Sequence, residues 1–317
     1  MKGVFLDFAT VSNGDIDPAP LHDSLDSLVL HDVTAPRDLP ARVKDANVIL
    51  ANKCRIGAAE MDAAPELQLI ALAATGYNNI DIDAAKARGI AVTNIRAYCT
   101  PAVAQHVFAL LLALNQNIDG YRRLLSNGTW KKSPQFTLLD FPFHELNGRV
   151  LGIIGHGELG KAVARIAEAF GMRVMIAERK GKEPRAGRTA FETVLREADI
   201  LSLHCPLTPE TEKLIDANAF SMMKSEAILI NTARGALVDE AALANALRAG
   251  EIGGAGIDVL SEEPPVHGNP LLDDSISNLI VTPHVAWAAV EARQRAIQQM
   301  AECIAAFRSG KKLNRVV

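Results

Sequence analysis

Short apolar runs alternate with amphipathic stretches along almost the whole chain. In the first third, GVFLDF, LVLHDV, NVILAN, LIALAA and IAVTN read as strands, rich in Val, Ile and Leu and bounded by Asp, Asn or Gly. Residues 81–89 (DIDAAKARG) read as a helix that starts on an Asp cap and stops at Gly89. Residues 100–128 read as one long helix with Pro101 in its first turn and Gly128 at its end, followed by a loop rich in aromatics and prolines. From Arg149 the alternation restarts with RVLGIIG, RVMIAER, DILSLHC, AILINTA, GAGIDV and LIVTP, the first five separated by helical segments. Such alternation builds parallel sheets flanked by helices. The pattern predicts an α/β protein of two doubly wound parallel-sheet domains. Residues 100–287 form one, and residues 1–99 with a returning C-terminal helix, 288–317, form a smaller, discontinuous one.

A chain of 317 residues suits two domains of ordinary size. Hydrophobic residues at 49% and charged residues at 22% are the balance of a globular protein in water. The net charge of −4 offers no basic face to nucleic acid. The longest apolar run, VFALLLAL, falls far short of the roughly 20 residues of a membrane span, and Asp7 interrupts the N-terminus too early for a signal peptide. Cys54, Cys99, Cys205 and Cys303 stand singly, without the spacing of a metal site or a disulfide framework. The expectation is a reduced, cytoplasmic enzyme or binding protein with no metal.

Chemistry enters at GIIGHGELGKAVARI, which places Gly155, Gly157 and Gly160 in G-x-G-x-x-G spacing. The motif alone is weak, but here it leaves an apolar strand and opens an Ala-rich helix, the context it requires. Gly155 permits the tight turn, Gly157 the approach of a pyrophosphate, and Gly160 close helix–strand packing. The N–H groups of Glu158 and Leu159 would face the phosphates. The next strand ends at Glu178, where an acid holds a ribose 2′-hydroxyl. Arg179 and Lys180 follow it and could accept a 2′-phosphate instead. Repulsion of that phosphate by Glu178 favours NAD, with NADP as a minor cofactor.

Three further signals lie at strand ends, where open α/β sheets bind ligands. NTARGALVDE puts Arg234 past the fourth strand, GIDVLSEEPP puts Asp258 and Glu263 past the fifth, and VTPHVAW puts His284 past the sixth. Singly, Arg234 reads equally as a surface ion pair, Glu263 as a solvated acid, Asp258 as a turn cap and His284 as a structural histidine. Their convergence on one sheet edge is what favours a site.

GHGELG, NTARGALVDE, GIDVLSEEPP and VTPHVAW, in this order, resemble the D-isomer-specific 2-hydroxyacid dehydrogenase family. ATGYNNIDIDAAKARGI and TPAVAQHVFALLLAL extend the likeness over nearly the whole chain. Asn52–Lys53, SPQFTLLDFPFHEL and the Trp after TPHVA look most like glycerate dehydrogenases, also called hydroxypyruvate reductases. The resemblance implies a Rossmann NAD-binding domain beside a flavodoxin-like substrate domain. It also implies reduction of hydroxypyruvate or glyoxylate to D-glycerate or glycolate. His284 would be the acid/base, because an imidazole exchanges protons near neutral pH, with Glu263 fixing its tautomer. Arg234 would grip the substrate carboxylate with two parallel hydrogen bonds. Asp258 would lie on the nicotinamide side, with Cys205, Pro206, Thr232 and Ala233 as further cofactor contacts. Thr75 and Gly76 would clamp the carboxylate, Lys53 would add a contact, and Trp287 would wall the pocket. Gln105 stands where the family more often has Glu, and His106 reads as a satisfied core histidine. The aromatic loop, with Trp130, Phe136, Phe141 and Phe143, would pack on a second subunit in a homodimer through the NAD-binding domain. Other readings stay open: a phosphoglycerate, lactate or phosphite enzyme of the same family, or an NAD-sensing corepressor-like protein. A chain ending at Val317 is expected to lack the extra regulatory domain of many phosphoglycerate dehydrogenases.

Overall fold

The computed structural model describes residues 1–317, which fold as two compact units, Met1–Cys99 with Trp287–Val317, and Thr100–Ala286. Trp287 belongs to the first unit, one residue earlier than the boundary read from the sequence. None of the helices is long and apolar enough to cross a membrane.

The first unit is built on β1 (Lys2–Phe5), β2 (Ser27–Leu30), β3 (Val48–Ala51), β4 (Leu69–Leu72) and β5 (Ala91–Thr93), all parallel and in the order β2-β1-β3-β4-β5. That is the flavodoxin-like order. β3 and β4 are buried along their whole length, as expected of parallel strands covered on both faces. Helices α1 (Ala19–Ser24), α2 (Leu39–Val43), α3 (Ala58–Asp62) and α4 (Ile82–Ala87) connect the strands. The Asp81 side chain caps α4 by accepting from Ala84 N, and Gly89 follows the helix at φ +68°. The C-terminal helix Val290–Arg308 returns to this unit and packs on α1 and β4 through Ala296, Ile297, Met300 and Ile304.

The second unit opens with α5 (Thr100–Asn115), α6 (Ile118–Ser126) and α7 (Thr129–Lys132). The sequence predicted one helix through this stretch, but it breaks at Asn117. Asn117 adopts φ +46° and caps α6 by accepting from Gly120 N. Asn tolerates that left-handed conformation better than most residues. The sheet comprises β6 (Val150–Ile154), β7 (Arg173–Ile176), β8 (Ile200–Leu203), β9 (Ile228–Asn231), β10 (Gly254–Ile257) and β11 (Leu279–Val281). All are parallel, in the order β7-β6-β8-β9-β10-β11. Helix α8 (Glu158–Ala169) shares one face with α5, packing on Leu151, Ile153, Ile200 and Ile230. Helices α9 (Phe191–Glu197), α10 (Ala217–Met222) and α11 (Glu240–Ala249) cover the other. The crossovers change face at β6, so the carboxyl ends of β6 and β8 flank the topological switch point, where open sheets of this kind bind ligands.

Candidate active site

The turn leaving β6 is shaped by three glycines with different reasons. Gly155 has φ +95°, and a Cβ there would lie 2.5 Å from Cys205 N and the His204 carbonyl carbon. A Cβ on Gly160 would lie 2.2 Å from Gly155 O, so this glycine sets the close approach of α8 to the strand. A Cβ on Gly157 would meet nothing within 4 Å: this position opens onto space. Helix α8 begins at Glu158 with Gly157 as its N-cap and no capping side chain, so its first N–H groups present the donors an anion needs. The Glu158 carboxylate itself accepts from the Thr100 hydroxyl. Just past β8 and β9, His204 Nδ1 and Thr232 Oγ1 are buried polar atoms without a partner in the protein. Burial pushes His204 down to about 4 and the neighbouring Cys205 thiol up to about 11, so at neutral pH both are uncharged. An open cradle, unspent donors and orphaned polar atoms at this edge fit a bound dinucleotide.

At the end of β7, Glu178 has a side chain only 2% exposed. Main-chain N–H groups of Arg179 and Arg185 donate to its two oxygens at 2.9 and 3.3 Å. The Arg185 guanidinium then closes on it in a bidentate pair, Nε–Oε2 2.6 Å and Nη2–Oε1 2.7 Å. This guanidinium holds the Glu178 carboxyl well below its usual range, at about 2. The chain after β7 loops out and returns to bridge Thr189 to Ala177, which brings Arg185 back beside the strand end. Sequence reading considered Arg179 and Lys180 here and missed Arg185. Lys180 is instead engaged over the Phe191 ring and beside Asp216.

Buried Asn231, the last residue of β9, folds the following loop onto itself. Its Nδ2 donates to Arg234 O at 2.8 Å and its Oδ1 accepts from Ala233 N at 3.0 Å. Arg234 follows in extended backbone with an exposed side chain that forms no ion pair. Gly235 lets this loop lie against the next, since a Cβ there would sit 2.0 Å from the Leu260 carbonyl carbon. The loops carrying Arg234 and Glu263 are therefore packed together.

Beyond β11 the backbone turns sharply, and His284 takes φ +54°, a conformation that costs energy for any residue with a Cβ. Asp258 holds that turn. Its carboxylate accepts from Thr282 Oγ1 at 2.6 Å and from the N–H groups of Val285 and Ala286 at 2.9 Å each, while His284 N donates to Asp258 O at 2.7 Å. The acid expected on the nicotinamide side is thus turned inward, almost wholly buried, and its carboxylate is occupied by the turn. The Thr282 hydroxyl has one proton and gives it to Asp258, so His106 Nε2, 3.0 Å from that oxygen, is the donor in its own bond. His106 is thereby a satisfied histidine braced beneath the same turn, while Gln105 is exposed. The turn presents the His284 ring so that Nδ1 meets Glu263 Oε2 at 2.7 Å, and Glu263 Oε1 is fixed by Leu260 N at 2.9 Å. With Nδ1 engaged by a carboxylate, Nε2 lies on the opposite edge of the ring.

In the first unit, Lys53 N donates to Asp7 Oδ2 at 2.6 Å, and Thr75 donates to Ile95 O and accepts from Asn94 Nδ2 through its carbonyl. Trp287 meets Tyr98 edge to face, ring centroids 6.3 Å apart.

A glycine cradle at a switch point, an acid at the next strand end and a carboxylate-anchored histidine at the sheet's far edge define a dinucleotide-binding α/β oxidoreductase. Residues 108–286 match the model of the D-isomer specific 2-hydroxyacid dehydrogenase NAD-binding domain. A glycerate dehydrogenase from Methylorubrum extorquens is 47% identical over 279 residues, 88% of each chain. A hydroxypyruvate reductase from Blautia hydrogenotrophica is 34% identical over 99% of each chain. A D-lactate dehydrogenase from Lactobacillus jensenii, solved with NAD+, superposes with a TM-score of 0.81 at 30% identity, covering 100% of this chain and 99% of that one. The chain belongs to the D-isomer specific 2-hydroxyacid dehydrogenases, and it is an NAD-dependent enzyme of that family.

Proposed function

We propose that the chain reduces hydroxypyruvate or glyoxylate to D-glycerate or glycolate, with His284 as acid/base, Glu263 as its orienting partner and Arg234 as the carboxylate anchor. Bound NADH supplies the hydride that adds to C2. The protein must then deliver a proton to the carbonyl oxygen and hold the carboxylate still. The observation that carries this reading is the Nδ1–Oε2 contact of 2.7 Å between His284 and Glu263. A carboxylate at Nδ1 fixes the tautomer and the ring's orientation, so the proton leaves from Nε2. Arg234, exposed and outside any ion pair, donates from Nη1 to Ala233 O at 2.6 Å and has its remaining N–H groups for a carboxylate. Its guanidinium also stabilises negative charge developing on the oxygen. Gly155, Gly157, Gly160, the N–H groups of Glu158 and Leu159, Cys205, Pro206, Thr232 and Ala233 would hold the cofactor. Lys53, Thr75, Gly76 and Trp287 carry over as substrate contacts from the family pattern, and residues 1–99 with 287–317 as the substrate-binding domain. Likeness to a glycerate dehydrogenase and a hydroxypyruvate reductase supports the substrate class.

A panel of 2-oxo acids assayed with NADH and NADPH tests this. Hydroxypyruvate and glyoxylate are expected to give the highest kcat/KM, and hydroxypyruvate the D product. Preference for pyruvate or phosphohydroxypyruvate would reassign the substrate, and NADH binding without turnover of any acid would indicate an NAD-sensing protein.

The assembly proposed is a homodimer through the aromatic segment 129–146 of the NAD-binding domain. Trp130, Phe136, Leu139 and Phe143 are 49%, 89%, 81% and 49% exposed, an apolar patch of the kind that marks an interface. An isologous two-fold contact would cover it on both subunits. Sedimentation equilibrium at micromolar concentration should give twice the chain mass of 34.0 kDa; a monomer would remove the proposal.

A further inference from the structure

Two of the bidentate arginine–carboxylate pairs in this molecule look alike on paper and differ in what else holds the arginine. In the first unit Arg293 grips Asp15 at 2.7 and 2.6 Å and also donates to Ala288 O and Val11 O, and its side chain is only 12% exposed. That arginine is locked. Arg185 is 64% exposed, and every bond its guanidinium makes is to Glu178. The acid is the fixed partner there, anchored by two main-chain N–H groups that remain if the guanidinium leaves. So Arg185 can swing outward without leaving Glu178 stripped of donors. The surroundings suit an added anion. Arg188, tied to Ala177 O, and Lys161 are close enough to the glycine turn that, after burial, their charge helps hold His156 below its usual range.

Resting on the cofactor-site reading above, we propose that Arg185 sets cofactor breadth. Paired with Glu178, it neutralises the acid that would repel a ribose 2′-phosphate; turned outward, it becomes that phosphate's partner, so the enzyme binds NADPH as well as NADH. A planar fork suits a phosphate as it suits a carboxylate, and a dianionic phosphate competes well with a single carboxylate charge. NADH keeps an advantage from the bond of its 2′-hydroxyl to Glu178, but a small one.

The test is direct binding of NADH and NADPH, followed by quenching or enhancement of nicotinamide fluorescence, in the wild type, Arg185→Ala, Arg185→Lys and Glu178→Gln. Adenosine 2′,5′-bisphosphate and 5′-AMP serve as competitors lacking the nicotinamide. Arg185→Ala should raise the Kd for NADPH and the 2′,5′-bisphosphate by about tenfold or more, the scale of one charged hydrogen-bonded contact, while NADH and 5′-AMP stay within about threefold. Arg185→Lys should recover part of that loss, and Glu178→Gln, which frees the guanidinium, should tighten NADPH. Unchanged NADH binding in the two Arg185 variants also shows that they are folded. Equal weakening of both cofactors in Arg185→Ala, or no weakening of NADPH, overturns the proposal and leaves the cofactor site standing. Failure of the wild type to bind NADH would instead remove the site itself.

Discussion

In the first unit the strand order turns at β1, and the chain leaving that strand places Asp7 where the ends of β1 and β3 meet; in the second it turns at β6, and the chain leaving that strand places Gly155, Gly157 and Gly160 where β6 and β8 meet. Asp7 is buried, and its two oxygens accept the N–H groups of Asn52, Lys53 and Cys54 at 2.9, 2.6 and 2.8 Å. One side chain thus fills the switch point of the first sheet and stitches its loops together. The glycines do the opposite: they remove side chains and leave main-chain donors available. Topology supplies the crevice in both units. The residues in the turn decide whether it closes on itself or stays open to a ligand.

The same contrast extends along the second sheet. Each loop past β8, β9, β10 and β11 contributes a polar group, and the Asp258 carboxylate is spent on the fold itself, in holding His284 at φ +54°. If those strand ends carry the chemistry, their largest effect is on turnover. His284→Ala should lower kcat by roughly 10²–10⁴-fold, the range of a positioned acid, with NADH binding within a few-fold. Reduction and oxidation should show opposite pH limbs in the wild type, since one needs the protonated ring and the other the neutral one. Loss of NADH binding together with activity would make His284 structural.

The two switch points should then fail in different assays. Gly157→Val adds atoms where nothing lies within 4 Å, so thermal stability should barely move. NADH should weaken on the order of 10²-fold, because the added side chain keeps the phosphates from several N–H donors. Asp7→Ala should do the reverse. It removes the acceptor of three N–H groups, one buried and two part-buried, at about 1–3 kcal/mol for the buried one and less for the others, and should lower Tm on the order of 5 °C or more while NADH affinity stays within threefold. A stability loss in Gly157→Val with NADH binding intact would erase the distinction drawn between the two turns.

The elements of both sheets were legible because parallel strands buried on both faces leave uninterrupted apolar runs, and because Asp81 and Gly89 mark α4 by local chemistry. The glycine turn was legible because its motif sits between a strand and a helix. What stayed hidden depends on return of the chain. Asn117 ends a helix inside an apolar-to-polar stretch that periodicity alone continues, although the Gly three residues on marks it: a Cβ on Gly120 would lie 2.4 Å from Asn117 Oδ1. Arg185 reaches Glu178 only because Thr189 bridges back to Ala177. The direction of the Asp258 carboxylate is set by N–H groups more than twenty residues later. Spacing shows which residues reach a strand end, not which way they turn there.

The smallest expected effect lies in acid stability, where the two arginine pairs can be compared directly. The Arg293 guanidinium holds Asp15, and the Arg185 guanidinium holds Glu178, each well below the usual carboxylate range, at about 2. A carboxylate whose folded value is depressed stabilises the fold at pH above its unfolded value and loses that contribution as pH falls through the folded one. Both pairs therefore contribute fully at neutral pH and fade between about pH 4.5 and pH 2. Glu178→Gln and Asp15→Asn should each flatten the fall of Tm across that window, measured at constant ionic strength, and the double variant should flatten it further. The pairs must part company in the cofactor titration. Asp15→Asn should leave the NADH-to-NADPH ratio of affinities where it was, because Arg293 is held by two carbonyls besides its acid; Glu178→Gln should move it. A change in that ratio from Asp15→Asn would show that a locked arginine serves the cofactor as well as a detachable one, and the contrast between the two pairs would lose its meaning.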